Sequence, residues 1–200
     1  MTPQKIGWQR RWQKLYEEIV GVLKTEFVSI WRNFGFQVQT DEKPNEITAT
    51  INLNGEIVRS LRMQLKESWG RYRINFFWGR DCLIFSLKRF FKSEKRRYWY
   101  CMKELMRFTE NAVMEAAVSI LSKHLQLKTT YGVLENVFHA EFNGKTMTFE
   151  FWLDRDRQTW TWIIRAEGRK FEFTQPTTES PINAENLVNF VRSIMLEVAL

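Results

Sequence analysis

Between Lys88 and Arg107 the chain carries eight cationic side chains, Lys88, Arg89, Lys92, Lys95, Arg96, Arg97, Lys103 and Arg107, against only Glu94 and Glu104. Phe90, Phe91, Tyr98, Trp99 and Tyr100 are interleaved with them. Cations at this density attract phosphates through Coulomb energy and counterion release. Aromatic faces add base stacking, which single strands and loops allow and intact duplexes resist. Arg89, Lys92, Lys95, Arg96 and Arg97 are therefore the expected phosphate contacts, and Tyr98 and Trp99 the expected stacking groups. Arg10, Arg11 and Lys14, set beside Trp8 and Trp12, are expected auxiliary contacts. The same mixture also suits an anionic membrane surface, or a solvated strand-to-helix junction whose aromatics cap a core.

Other chemistry is thinly represented. Phosphate-binding glycine loops, nucleophile elbows and His-Glu-x-x-His are absent. His139 and Glu141 share one face of a strand-like run, a geometry open to acid–base work but equally to a plain exposed face. Glu141, Glu150, Asp154 and Asp156 are the only carboxylates gathered in a way that a divalent-metal nuclease would need. Asp154-Arg155-Asp156-Arg157 instead reads as a self-neutralising turn. Cys82, Cys101, His124 and His139 show no zinc-ligand spacing. The two cysteines are expected to be buried free thiols in a reducing compartment. No catalytic residue, cofactor or metal is expected.

The net charge of +7 is unevenly shared. Residues 1–107 hold 21 Lys and Arg against 11 Asp and Glu, and residues 108–200 hold 9 against 12. A sign difference between halves hints at a polyanionic partner. Aromatics at 15% and a hydrophobic share of 44% supply enough apolar surface for folding. The basic, Trp-containing N-terminal stretch lacks the apolar core of a secretory signal, and no apolar run approaches membrane-span length. These readings point to a cytoplasmic protein.

Positioning the basic window falls to helices and strands legible from period. Trp8, Trp12, Leu15, Ile19, Leu23, Phe27, Ile30 and Phe34 recur at intervals of three and four, predicting a long helix ending near Gly35. Four strands follow between Phe36 and Leu87, with Asn54-Gly55 as a tight hairpin turn. A second long helix is predicted from Ser93 to about Leu127, with Leu105, Phe108, Ala112 and Ile120 in its buried stripe. Its broad apolar face suits a spine shared by two sheets. Strands from Tyr131 to Phe173 come next, with Asn143-Gly144 as the matching turn. Leu187, Val191, Ile194 and Val198 mark a closing helix, capped by Ser180 before Pro181 or by Asn183.

Twenty-four residues separate Gly55 from Gly79 and Gly144 from Gly168, and Ile74 and Ile163 sit at one offset between those turns. The spacing suggests an internal repeat, although Phe149, Phe151 and Leu153 then align with Ser60, Arg62 and Gln64. The predicted architecture is α+β: two antiparallel β-meanders, pseudo-duplicated, packed with three main helices. Residues 1–92 would hold the first helix and sheet, and residues 93–200 the spine helix, second sheet and C-terminal helix, packed as one unit. Two functions fit this plan. One is a non-enzymatic nucleic-acid-binding protein, acting on single-stranded or structured nucleic acid within a larger nucleoprotein assembly. The other is a protein-interaction or chaperone-like module using exposed aromatics as its partner surface.

Overall fold

A computed structural model describes residues 3–68, 71–78, 83–87, 93–131 and 137–198. The first helical run comprises α1 (Pro3–Val22), a π-helical turn (Leu23–Phe27) and α2 (Val28–Asn33). Ile19, Leu23 and Phe27 recur every four residues, and on an α-helix each such step drifts by about 40° around the axis. The wider π turn absorbs that drift, and all three side chains are buried. Thr25 Oγ1 donates to Gly21 O at 2.9 Å beside this turn. Gly35 ends the run at φ +95°, its N–H bonded to Arg32 O at 2.9 Å. Only glycine enters that backbone region without strain.

The chain divides into two units, Met1–Trp31 with Gln37–Phe108, and Arg32–Phe36 with Thr109–Leu200. In the first, β1 (Gln37–Lys43), β2 (Glu46–Leu53), β3 (Glu56–Ser68), β4 (Arg71–Trp78) and β5 (Leu83–Leu87) form an antiparallel meander in sequential order. Ile47, Ala49 and Ile51 of β2, Leu61 and Met63 of β3, and Ile74, Phe76 and Trp78 of β4 share its buried face. α1 lies against β3 and β4. β1 escapes the sequence pattern because only Val38 is even half-buried on this edge strand, so no alternation marks it.

Helix α3 (Glu94–Leu125) gives its residues through Phe108 to the first unit and those from Thr109 to the second. Leu105, Phe108 and Ala112 are buried as the stripe predicts, whereas Ile120 is half-buried and Leu121 takes the inner position. The second meander comprises β6 (Lys128–Tyr131), β7 (Val137–Phe142), β8 (Lys145–Asp154), β9 (Thr159–Ala166) and β10 (Arg169–Pro176), again sequential and antiparallel. Phe138 faces Phe149 across β7 and β8, their rings stacked at 4.4 Å. Helix α4 (Ala184–Glu197) buries Leu187, Val191 and Ile194. Asn183 caps it, accepting the Asn186 N–H at 3.0 Å. Ser180, the other candidate cap, is engaged elsewhere: its hydroxyl donates to Phe34 O at 2.6 Å.

Asn54-Gly55 and Asn143-Gly144 both join the second strand of a meander to the third, with all four residues at positive φ. Beyond those turns the equal spacing does not mark equivalent positions. Ile51 pairs with Arg59 while Asn52 pairs with Ile57, so Val58 is an extra residue, a β-bulge in β3. β8 has no counterpart to it. Skipping Val58 aligns buried Leu61 and Met63 with buried Phe149 and Phe151, which removes the phase drift. Along the ladders Ile74, opposite Leu65, is matched by Trp160, opposite Leu153. Ile163 lies on the other face of its strand.

Mid-helix in α3, the polar residues Thr109, Glu110 and Asn111 are all buried. Glu110 Oε1 accepts the Leu153 backbone N–H at 3.1 Å, tying this half of α3 to β8. Glu110→Ala should therefore cost about 1–3 kcal/mol by leaving that amide unsatisfied, read by urea denaturation. Glu110→Gln keeps an acceptor and should cost less. Equal losses for the two variants would contradict this role for the bond.

Candidate functional site

Arg97 begins the buried stripe of α3, one helical turn before Cys101. Only 2% of its surface is exposed. Its guanidinium lies 5.0 Å from the Trp12 ring centroid and 5.8 Å from that of Trp8. Trp8 and Trp12 are four apart on α1, so both indoles lie on one face. A guanidinium over indole rings is held by the ring quadrupole, which partly replaces lost hydration. Burial lowers the Arg97 pKa, Glu94 opposes the shift and Arg11 adds to it. Arg97 thus departs from its expected role, because its guanidinium is turned into the protein rather than presented to a phosphate.

This clamp holds the N-terminal part of α1 beside the first turn of α3. Arg11 Nε lies 3.9 Å from Glu94 Oε1, an exposed pair. Arg10, Arg11 and Lys14 are exposed and share one stripe of α1. On α3, Lys95, Arg96, Trp99, Lys103 and Arg107 form the solvent-facing stripe, opposite Arg97, Cys101, Leu105 and Phe108. Trp99 is 54% exposed. Lys103 Nζ sits 5.4 Å from its ring centroid, and Tyr100 meets it edge-on at 5.0 Å. Tyr98 is half-buried. Of the expected contacts, Lys95, Arg96 and Trp99 thus share the solvent-facing side of α3 and Arg11 lies beside its first turn, whereas Arg10 and Lys14 are exposed on the side of α1 turned away from Trp8 and Trp12. Arg89 and Lys92 lie outside the described residues, as do Lys88, Phe90 and Phe91.

Beneath this surface Glu104 is buried. Its Oε1 accepts from Arg107 Nη1 at 3.4 Å, while its Oε2 has no hydrogen-bond partner. Burial raises its pKa, only partly opposed by Arg107 and Lys103. Burial likewise pushes up the Cys101 thiol, with Glu104 adding to the effect, so this buried cysteine is a poor nucleophile. Cys82 lies outside the described residues.

The carboxylates of the second unit are engaged separately. Glu150 Oε1 pairs with Arg165 Nε at 3.0 Å. Asp154 Oδ1 accepts the Arg157 N–H at 3.0 Å, and its Oδ2 lies 3.6 Å from Arg157 Nε. His139 and Glu141 are exposed, and His139 Nδ1 is 3.1 Å from Thr148 Oγ1. Among the described residues no three His, Cys, Asp or Glu side chains are grouped to hold a metal, and no helix is long and apolar enough to cross a membrane.

The signal for the clamp was present in the sequence. Arg97 falls in phase with Cys101, Leu105 and Phe108, and an inward arginine needs an aromatic or acidic partner, which the Trp8 and Trp12 pair supplies. Compared with known proteins, the chain matches no family model, no curated protein and no solved structure.

Arg97→Ala should lower the unfolding free energy by about 2 kcal/mol, the scale of a desolvated cation–π contact. Arg97→Met, which fills similar space without a charge, should lose less. Urea denaturation of both variants checks this, and an unchanged Ala variant would show that the guanidinium is not clamped. Glu104 carries a pH signature. Its folded pKa is raised, so the folded state binds more protons, and stability falls as pH rises from the ordinary glutamate range through the folded value. Glu104→Gln should therefore gain melting temperature over the parent as pH rises across that window. A pH-independent difference would contradict the burial of a titrating carboxyl.

Proposed function

We propose that the chain is a non-enzymatic nucleic-acid-binding protein, and that single-stranded or structured nucleic acid docks on the α1 and α3 face of the first unit. The observation carrying this reading is the solvent-facing stripe of α3, where Lys95, Arg96 and Lys103 accompany exposed Trp99, with Arg11 of α1 beside its first turn. Phosphates meet the exposed lysines and arginines, and a splayed base stacks on Trp99. An intact duplex offers no such base. Lys103, held over the Trp99 ring, adds charge without leaving the stacking site.

Charge distribution supports the same face. The first unit holds 20 Lys and Arg against 11 Asp and Glu, and the second 10 against 12. The shared meander order further supports an internally duplicated plan, in which one copy is basic and the other slightly acidic. A role within a larger nucleoprotein assembly is compatible with a binding surface confined to one unit. Exposed large apolar side chains favour the nucleic-acid reading over a broad protein-docking patch. Among the described residues these are Ile57, Trp99, Trp152 and Leu196, which stand on four different elements, and single exposed apolar residues are ordinary.

The test is titration with single- and double-stranded oligonucleotides over a series of salt concentrations. Each phosphate contact contributes about 0.7 to 0.9 to the slope of log affinity against log salt. Replacing both Lys95 and Arg96 by Ala should flatten the slope by roughly 1.4 to 1.8. Trp99→Ala should cost about 1–3 kcal/mol of affinity with little change in slope. Absence of oligonucleotide binding at low salt would end this reading, and binding indifferent to all these changes would move the site elsewhere.

A further inference from the structure

Among the described residues β10 is the last strand of the second sheet, bonded to β9 on one side and to no strand on the other. Glu167 and Gly168, both at positive φ, make a two-residue turn between β9 and β10. The closing pair of such a hairpin exchanges both backbone hydrogen bonds, and every second pair beyond it does the same. Arg169, Phe171, Phe173 and Gln175 therefore direct their backbone groups to β9. The Thr177 N–H, bonded to Gln158 O at 2.9 Å, continues that phase. Lys170, Glu172 and Thr174 turn their N–H and C=O groups outward. Pro176 takes the next outward position, the one place where a missing N–H leaves the ladder intact. Among the described residues, no backbone group bonds the outward N–H or C=O of Lys170, Glu172 or Thr174.

Beside this edge lies a cleft of about 370 Å³, between β10, residues 178–183 and α4. Phe173 and Phe190, both half-buried, form its apolar wall with ring centroids 5.3 Å apart. The far wall is held in place because the indole N–H groups of Trp160 and Trp162 donate to Glu179 O and Pro181 O at 2.9 and 3.0 Å. The lining contains no Lys, Arg or His. Glu179 also lines the cleft; the residue is exposed, and its carboxylate is in no ion pair among the described residues. An anionic ligand would meet no counter-charge there, whereas a cationic group would meet Glu179.

We propose that this groove receives an extended, basic peptide segment of a partner protein, which adds to the sheet as a strand along β10. Backbone hydrogen bonds to Lys170, Glu172 and Thr174 give affinity, and alternate side chains of the segment fall into the cleft. An apolar side chain settles on Phe173 and Phe190, and a lysine or arginine two residues away on the same face meets Glu179. The Lys170 to Glu172 ion pair, 2.7 Å long, belongs to the outer face of the sheet. It stands beside the pairing path and discourages indiscriminate strand pairing. This inference concerns the second unit alone and does not rest on nucleic-acid binding by the first.

The experiment selects peptides of about twelve residues from a random phage-displayed library on the full chain, with the Thr174→Pro protein as the counter-target. Thr174→Pro removes one outward N–H while the β9 ladder, which does not use that group, is kept. Its melting curve confirms folding. Peptides enriched on the parent should alternate apolar residues, carry lysine or arginine, and lose at least tenfold in affinity on Thr174→Pro. Methylating every second backbone amide of such a peptide should abolish binding in one phase and spare it in the other. A Glu179→Lys protein, changed only at an exposed side chain, should shift selection from basic to acidic peptides. No enrichment over Thr174→Pro, insensitivity to the methylation phase, or an unchanged charge preference on Glu179→Lys would each overturn the proposal.

Discussion

A guanidinium withdrawn from water must be compensated, and in the first unit much of that compensation comes from two indole faces. Burying an ion costs several kcal/mol even after relaxation, and Trp8, Trp12 and the Glu94 charge each offset part of that cost for Arg97. That requirement fixes the start of α1 beside the start of α3. It also brings Arg11 beside Glu94 at the start of α3, next to the exposed Lys95 and Arg96. A surface with more cations than carboxylates gains from a polyanion, because each phosphate neutralises a cation that the fold leaves exposed.

Two carboxylates on α3 show how burial and bonding divide. Glu110 accepts a strand N–H at 3.1 Å, so its desolvation is matched by a hydrogen bond. Glu104 has only a long contact from Arg107, leaves Oε2 without a hydrogen bond, and has a raised pKa. The first secures helix to sheet in the second unit. The second lies under the basic stripe and softens its cost only partly, since a carboxyl with a raised pKa is a weaker counter-charge.

The fold class, both Asn-Gly hairpins and the long helices were legible in the sequence because each rests on local chemistry. Asn and Gly supply positive φ at the turns, and the three-and-four stripes fix which helix faces are inward. The first strand of the first sheet, β1, was not legible. Gln37 to Lys43 pairs at an edge with almost no buried side, so its extended state depends on β2 rather than on its own pattern. The single bulge residue Val58 was likewise invisible, and without it the 24-residue spacing suggested equivalences, such as Ile74 with Ile163, that the ladders do not bear. Of the site, the exposed cations and Trp99 could be read from the window between Lys88 and Arg107. The inward turn of Arg97 could not be separated from its neighbours by composition, since only its phase within the helix distinguishes it.

The central claim is that the exposed start of α3, with Arg11 of α1 beside it, is a nucleic-acid surface. Ultraviolet cross-linking of the full chain to a single-stranded oligonucleotide, followed by mass spectrometry of the linked peptides, tests it most directly. The account predicts cross-links within residues 8–14 and 95–103, with Trp99 the dominant adduct, and their joint loss in Arg97→Ala at low denaturant. Cross-links confined to the second unit, or an undiminished pattern once Arg97 is removed, would contradict it.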